Sequence, residues 1–149
     1  MKNLFINGSP NRNGNTAALA AKLLEGTIYE SVNLVDYRIN VYGQQLEGDQ
    51  FAAVLEKIKQ ADTTVIGSPV YWHNICGSVR ILLDRFYGAI ETGSLKGNLL
   101  FLFQGTVPEK WMLEAGEYTI KRFAALYGLT YLGMATNSKE AEKLAQLIE

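Results

Sequence analysis

The stretch from residue 4 to residue 26, LFINGSPNRNGNTAALAAKLLEG, decides how the rest of the chain is read. It opens on Leu4-Phe5-Ile6, an all-apolar run of the kind found in strands buried on both faces. It closes on Asn15 to Glu25, where Leu19, Leu23 and Leu24 share one side of a helix and Gly26 supplies its stop. Between them runs a polar loop, NGSPNRNGNT, at residues 7–16. A strand, a loop and a helix in that order are the first part of a βαβ unit, so a parallel sheet is expected.

The same alternation continues to the end. Ser31 to Asp36 reads as a second strand, and Gln50 to Gln60 as a second helix with Phe51, Val54, Leu55 and Ile58 at helical spacing. Asn40 to Asp49, with two glycines and two glutamines, reads as a loop. Thr63 to Ile66 is a third strand ending at Gly67-Ser68-Pro69, and Gly77 to Tyr87 a third helix closed by Gly88. Leu99 to Phe103 is a fourth strand and Lys110 to Tyr127 a fourth helix ended by Gly128. Leu129 to Ala135 is a fifth strand, and Lys139 to Glu149 a final helix. Five strands alternating with five helices predict a doubly wound α/β fold. It is a three-layer α/β/α arrangement with a parallel sheet of order 2-1-3-4-5, as in flavodoxins. No repeat or linker interrupts it, so residues 1–149 are expected to form one domain.

Composition narrows the function classes. The chain is 48% hydrophobic and 19% charged with a formal net charge of −1, so no basic surplus points to nucleic acid or an anionic membrane. One cysteine, Cys76, excludes an internal disulfide or a multi-cysteine metal site, and one histidine, His73, excludes a histidine-rich one. The N-terminus is too briefly apolar for a signal peptide, and no run approaches a membrane span. A reduced, cytoplasmic setting is expected.

In an open parallel sheet, ligands bind beyond the carboxyl ends of the strands, at the switch point, here between the first and third strands. Three loops gather there. The first, Gly8 to Asn15, leads into a helix N-terminus, where free N–H groups and the helix dipole favour an anion. Gly8 and Gly14 allow close backbone approach. Ser9, Asn11, Asn13, Asn15 and Thr16 add neutral donors, and Arg12 a charge. The loop is neither GxxxxGK[ST] nor GxGxxG. Two readings stand: a phosphate cradle, or a polar turn capped by Asn15 or Ser9.

The second loop, SPVYWHNIC at residues 68–76, puts Tyr71 and Trp72 at the end of a buried strand. They suit a flat heteroaromatic ligand, with backbone from Pro69 to Asn74 meeting its polar edge, or else a subunit interface. His73 is either a solvated side chain or a proton donor. Gly105 and Thr106, in the third loop, stand where a ring edge would approach. A rival from another class is a phosphatase loop, which needs Cys-x5-Arg. Here Cys76 and Arg80 have only three residues between them, and Arg80 already falls within the third helix. Arg80 and Asp84, four apart on that helix, read as a surface ion pair.

Taken together, GSPNRNGNT at 8–16 and SPVYWHNICGSVRILLDRFYG at 68–88 resemble the NAD(P)H-dependent FMN reductase family, which includes iron-sulfur flavoproteins. The order of elements agrees over essentially the whole chain. The resemblance implies a flavodoxin-like fold and a non-covalent FMN whose phosphate lies in Ser9 to Thr16. Its ring system would lie against Pro69, Val70, Tyr71 and Trp72, with His73 and Asn74 near the edge. It also implies NADPH or NADH as co-substrate, a small-molecule electron acceptor such as a flavin or quinone, and a homodimer using the helix of Leu82, Asp84 and Arg85. The alternative is an FMN-binding electron carrier without nicotinamide turnover. Two departures stand out. The segment INVYGQQLEGDQF at 39–51 lacks the cysteines that hold a cluster in the iron-sulfur relatives, and QGTVPE at 104–109 keeps only Gly105 and Thr106 of the usual glycine-rich loop.

Overall fold

The computed structural model describes residues 1–148. Its elements are β1 (Asn3–Asn7), α1 (Asn15–Leu23), β2 (Tyr29–Asn33), α2 (Phe51–Gln60), β3 (Thr63–Tyr71), β4 (Asn74–Ile75), α3 (Gly77–Asp84), β5 (Asn98–Gln104), α4 (Lys110–Tyr127), β6 (Thr130–Ala135) and α5 (Ser138–Ala145). The main sheet runs β2-β1-β3-β5-β6, all parallel, which is the expected order 2-1-3-4-5 once the small β4 is set aside.

Period-two alternation sends successive residues to opposite faces of the sheet. Leu4, Ile6, Leu99, Phe101 and Phe103 pack with Val54 and Ile58 of α2, Val79 and Leu82 of α3, and Ile120 and Phe123 of α4. Phe5, Val65, Leu100 and Leu102 pack with Leu19 and Leu23 of α1 and Ala141 of α5. Every strand at the centre of the sheet is therefore apolar on both sides, which is why these segments read as continuous apolar runs.

Several boundaries differ from the expected ones, each for a local reason. The second strand was expected over Ser31–Asp36; it ends at Asn33, and Leu34–Asp36 form a single 3-10 turn that tucks Leu34 into the core. The consecutive Leu34 and Val35 break the alternation there, and Val35 is exposed. The third strand runs past Ile66 through Gly67, Ser68 and Pro69 to Tyr71, because β5 pairs with it as far as Pro69. It then folds back on itself. Val70 and Tyr71 pair antiparallel with Ile75 and Asn74, so the expected loop is a tight hairpin. The final helix starts at Ser138, capped by the Asn137 side chain accepting from the Glu140 N–H; its expected end, Glu149, lies outside the described residues. Helix α3 ends at Asp84 rather than Tyr87.

The fourth helix has the expected limits. Gly128 closes it at φ 96°, a conformation that favours glycine.

Candidate functional site

The first loop is held open from within by its own side chains. Asn7, fully buried at the tip of β1, accepts from the Ser9 N–H through Oδ1 at 3.1 Å, while its Nδ2 donates to Asn33 Oδ1 at 3.0 Å. Ser9 Oγ in turn accepts from the Asn11 N–H at 3.1 Å, and Asn11 Oδ1 from the Asn13 N–H at 3.1 Å. The alternating polar residues are thus a relay of side-chain turns that fixes the loop. Helix α1 then begins after Gly14, and no side chain caps it. Neither Asn15 nor Ser9 is the cap that the turn reading required. The first-turn N–H groups receive no side-chain cap, and free N–H groups at a helix start are what an anion satisfies.

The loop is pinned to its neighbours on both sides. The Gly8 N–H donates to the Gly67 carbonyl at 2.8 Å, and Ser78 Oγ donates to the Gly8 carbonyl at 2.8 Å. A methyl group on Gly8 would stand 2.5 Å from Val79 Cγ2 and 2.8 Å from the Gly67 carbonyl oxygen, so only glycine fits. Thr16 is fully buried at the start of α1, and its Oγ1 accepts from Gln104 Nε2 at 3.3 Å. Gln104 ends β5, so this contact ties the first loop to the third. Arg12 is committed to Asp36 by a bidentate ion pair at the surface. That hydrogen bond holds the Asp36 carboxyl below its ordinary range and raises the Arg12 guanidinium. The anion donors left at the loop are therefore neutral ones.

The hairpin of β3 and β4 supplies the second wall. Its two turn residues, Trp72 at φ 47° and His73 at φ 65°, are the non-glycine residues with positive φ among those described. Trp72 is 93% exposed and Tyr71 about half exposed. The His73 ring lies 5.5 Å from that of Trp111 and its Nδ1 is 3.5 Å from Met112 Sδ. Asn74 turns its Oδ1 back to accept from the Ile75 N–H, and Ser68 Oγ, buried, accepts from the Cys76 N–H. Cys76 is buried beneath the first loop, its thiol donating to the Gly8 carbonyl, and its geometry is one of packing.

An open cleft of about 450 Å³ separates this hairpin from the third loop. Val70, Trp72 and His73 line one side; Gly105, Thr106 and Val107 line the other. Of the expected residues, Ser9 to Thr16 gather at the α1 end and Val70, Trp72, His73, Gly105 and Thr106 at the cleft. Pro69 lies in β3, paired with Gln104. Asn7, Asp36, Gln104, Val107 and Met112 belong to this region and were not expected from the sequence. The first polar residue after the apolar run LLFLF was the available signal for Gln104.

Away from the cleft, Arg85 reaches the 38–50 loop. Its guanidinium donates to both carboxylate oxygens of Asp49, at 2.9 and 2.6 Å, and to the Asn40 carbonyl at 3.0 Å.

Residues 1–143 match the family described as NADPH-dependent FMN reductase. The chain belongs to that family. An iron-sulfur flavoprotein of Archaeoglobus fulgidus is 39% identical over 98 residues, which is 57% of this chain and 48% of that protein. An NAD(P)H dehydrogenase (quinone) of Geobacter sulfurreducens is 27% identical over 82 residues, 55% of this chain and 40% of its own. The chain spans about half the length of the curated relatives it matches. Among solved structures, the Trp repressor binding protein of Bacillus subtilis superposes with a TM-score of 0.79 at 19% identity, over 95% of this chain and 99% of that one. At that identity the likeness is one of fold. As an FMN reductase family member the chain has the family's α/β architecture, with the hairpin and the uncapped α1 both following the carboxyl ends of the adjacent parallel strands β3 and β1. No helix among the described residues is long and apolar enough to cross a membrane. No group of three or more His, Cys, Asp or Glu among them could hold a metal ion.

Proposed function

We propose that the protein is an FMN-dependent oxidoreductase that takes hydride from NADPH or NADH and passes electrons to a small acceptor. The observation that carries this is the start of α1 at Gly14 without a side-chain cap, beside the cleft between the hairpin and the third loop. A phosphate at the first and a flat ring in the second would belong to one molecule. The residues fit that molecule. Ser9, Asn11, Asn13, Asn15 and Thr16 would hold the phosphate through neutral donors, with the α1 dipole behind them and Arg12 alongside. Pro69, Val70, Tyr71, Trp72, His73 and Asn74 would hold the ring on one side, with Gly105 and Thr106 at its other edge. Gly105 leaves no room to spare there, since a methyl group on it would come within 3.1 Å of Val70 Cβ.

Bound FMN would supply the redox chemistry, so the chain needs no acid, base or metal of its own. What its residues do is bind the phosphate, orient the ring through the rigid hairpin, and leave one face open to a second substrate.

The family relation supports a homodimer. Helix α4 is buried on one side, yet Trp111, Ala115, Tyr118, Arg122 and Leu126 form a second, outward stripe at spacings of three and four. Tyr87 and Tyr118 are well exposed at a groove between α3 and α4. Asp84 with Arg80 and Arg122 line the same groove, so a two-fold copy would set acid against base. The lone, buried thiol of Cys76 fits a reducing cytoplasm.

Anaerobic mixing of the FMN-loaded protein with NADH or NADPH tests the activity. Rapid loss of the oxidised-flavin bands is expected with one of the two. Retained colour with both nicotinamides would mean an electron carrier instead.

A further inference from the structure

The first loop carries one cation, and that cation is already engaged. Arg12 is the only lysine or arginine in residues 8–15, 68–76 and 104–109, the loops that follow β1, β3 and β5. Its Nε donates to Asp36 Oδ2 at 2.9 Å, and its Nη2 donates to Asp36 Oδ1. The backbone is anchored at both ends of this pair. Asp36 closes the 3-10 turn whose Leu34 is buried, and the Tyr37 N–H donates to the Leu34 carbonyl at 3.1 Å. Asn7 Nδ2 ties the first loop to the end of β2 by donating to Asn33 Oδ1. Asn11 Oδ1 accepts from the Asn13 N–H, which fixes the chain on either side of Arg12. For Arg12, leaving Asp36 to meet a phosphate would exchange one charge-assisted pair for another, so gain and loss largely cancel. With a neutral side chain at position 36, nothing would be given up.

We infer that Asp36 sets the strength of flavin binding: it keeps Arg12 off the FMN phosphate, so that neutral donors alone hold the phosphate and the flavin stays exchangeable. This rests on the flavin reading above, which places the phosphate in residues 9–16. Asp36 is a positioning residue that acts through Arg12 and not through contact with the flavin. The consequence is opposite in sign to that of a structural ion pair. Removing the carboxylate strengthens the site.

The test uses the full chain stripped of any bound flavin, with FMN and riboflavin titrated by calorimetry into the parent, Asp36→Asn and Asp36→Asn/Arg12→Gln. Asp36→Asn should bind FMN about tenfold more tightly and release it more slowly on dilution. The double variant, which removes both charges, should return to within about twofold of the parent. Riboflavin, which lacks the phosphate, should bind all of them alike. The inference is overturned if Asp36→Asn binds FMN no more tightly than the parent, or loses affinity for both flavins as a broken strut would. It is also overturned if the double variant keeps the gain, which would assign the effect to the Asp36 charge alone. A double variant about tenfold weaker than the parent would overturn it too, because Arg12 would already be on the phosphate. Those results leave the flavin reading standing, whereas a parent that binds FMN no more tightly than riboflavin would overturn both.

Discussion

Trp72 and His73 show what this chain gives up for its site. Both central residues of the β3–β4 hairpin have positive φ, the geometry in which Asn-Gly turns are preferred, and a residue with a Cβ there costs roughly 1–2 kcal/mol. The double variant Trp72→Asn/His73→Gly should therefore be more stable than the parent by about 1–2 kcal/mol in urea unfolding, while acceptor turnover falls. A second residue-scale prediction concerns Thr16. Thr16→Val keeps the volume of a fully buried side chain but removes the hydroxyl that faces Gln104 and the α1 N-terminus. The fold should survive by circular dichroism, and FMN affinity by calorimetry should drop about tenfold. At this scale the sequence was readable in type rather than in detail. The neutral donors of residues 9–16 were visible as a pattern. That Arg12 would be taken by Asp36 was not, because nothing in the order of residues brings the end of β2 beside the first loop.

At the scale of elements, an ion pair ties the 38–50 loop to the end of α3, beside hydrogen bonds within the loop such as that from the Gln50 N–H to the Arg38 carbonyl. Arg85 stacks over Phe51, with its Cζ 4.7 Å from the ring centroid, and grips Asp49, which also accepts from the Asn40 N–H. The pair is largely shielded, with side chains 19% and 24% exposed. The Arg85 hydrogen bond brings Asp49 down from its ordinary 3.8 to about 2. A carboxyl depressed in this way adds stability that is complete above pH 3.8 and is lost as the pH falls through about 2. Asp49→Asn should thus cost on the order of 1–2 kcal/mol near neutrality, with the gap to the parent closing by pH 2 in acid titrations of urea stability. Element boundaries were the least legible feature of the fold. Long periodic segments such as α4 were readable to the residue because Gly128 marks the end. The hairpin was not, since Trp72-His73 carries none of the glycine or asparagine that announces a tight turn. Nor was the early end of β2, where burial of Leu34 overrides strand propensity.

For the whole molecule, topology was legible because every central strand is apolar on both faces and every connection is long enough for a crossover helix. Its assembly is a matter of surfaces instead. The outward stripe on α4 predicts that Tyr118→Glu with Leu126→Glu converts a dimer to a monomer in sedimentation, with the fold intact, because both side chains are exposed in the isolated chain. A parent protein that sediments as a monomer would contradict that. If residues 7–16 form a phosphate cradle feeding the cleft, the phosphate must add affinity, and comparing FMN with riboflavin by calorimetry tests this most directly. The two share the ring and differ only in the phosphate. FMN is expected to bind about a hundredfold more tightly, equivalent to about 2.7 kcal/mol, with the difference shrinking in Thr16→Val. Equal affinities would mean that the uncapped start of α1 holds no phosphate.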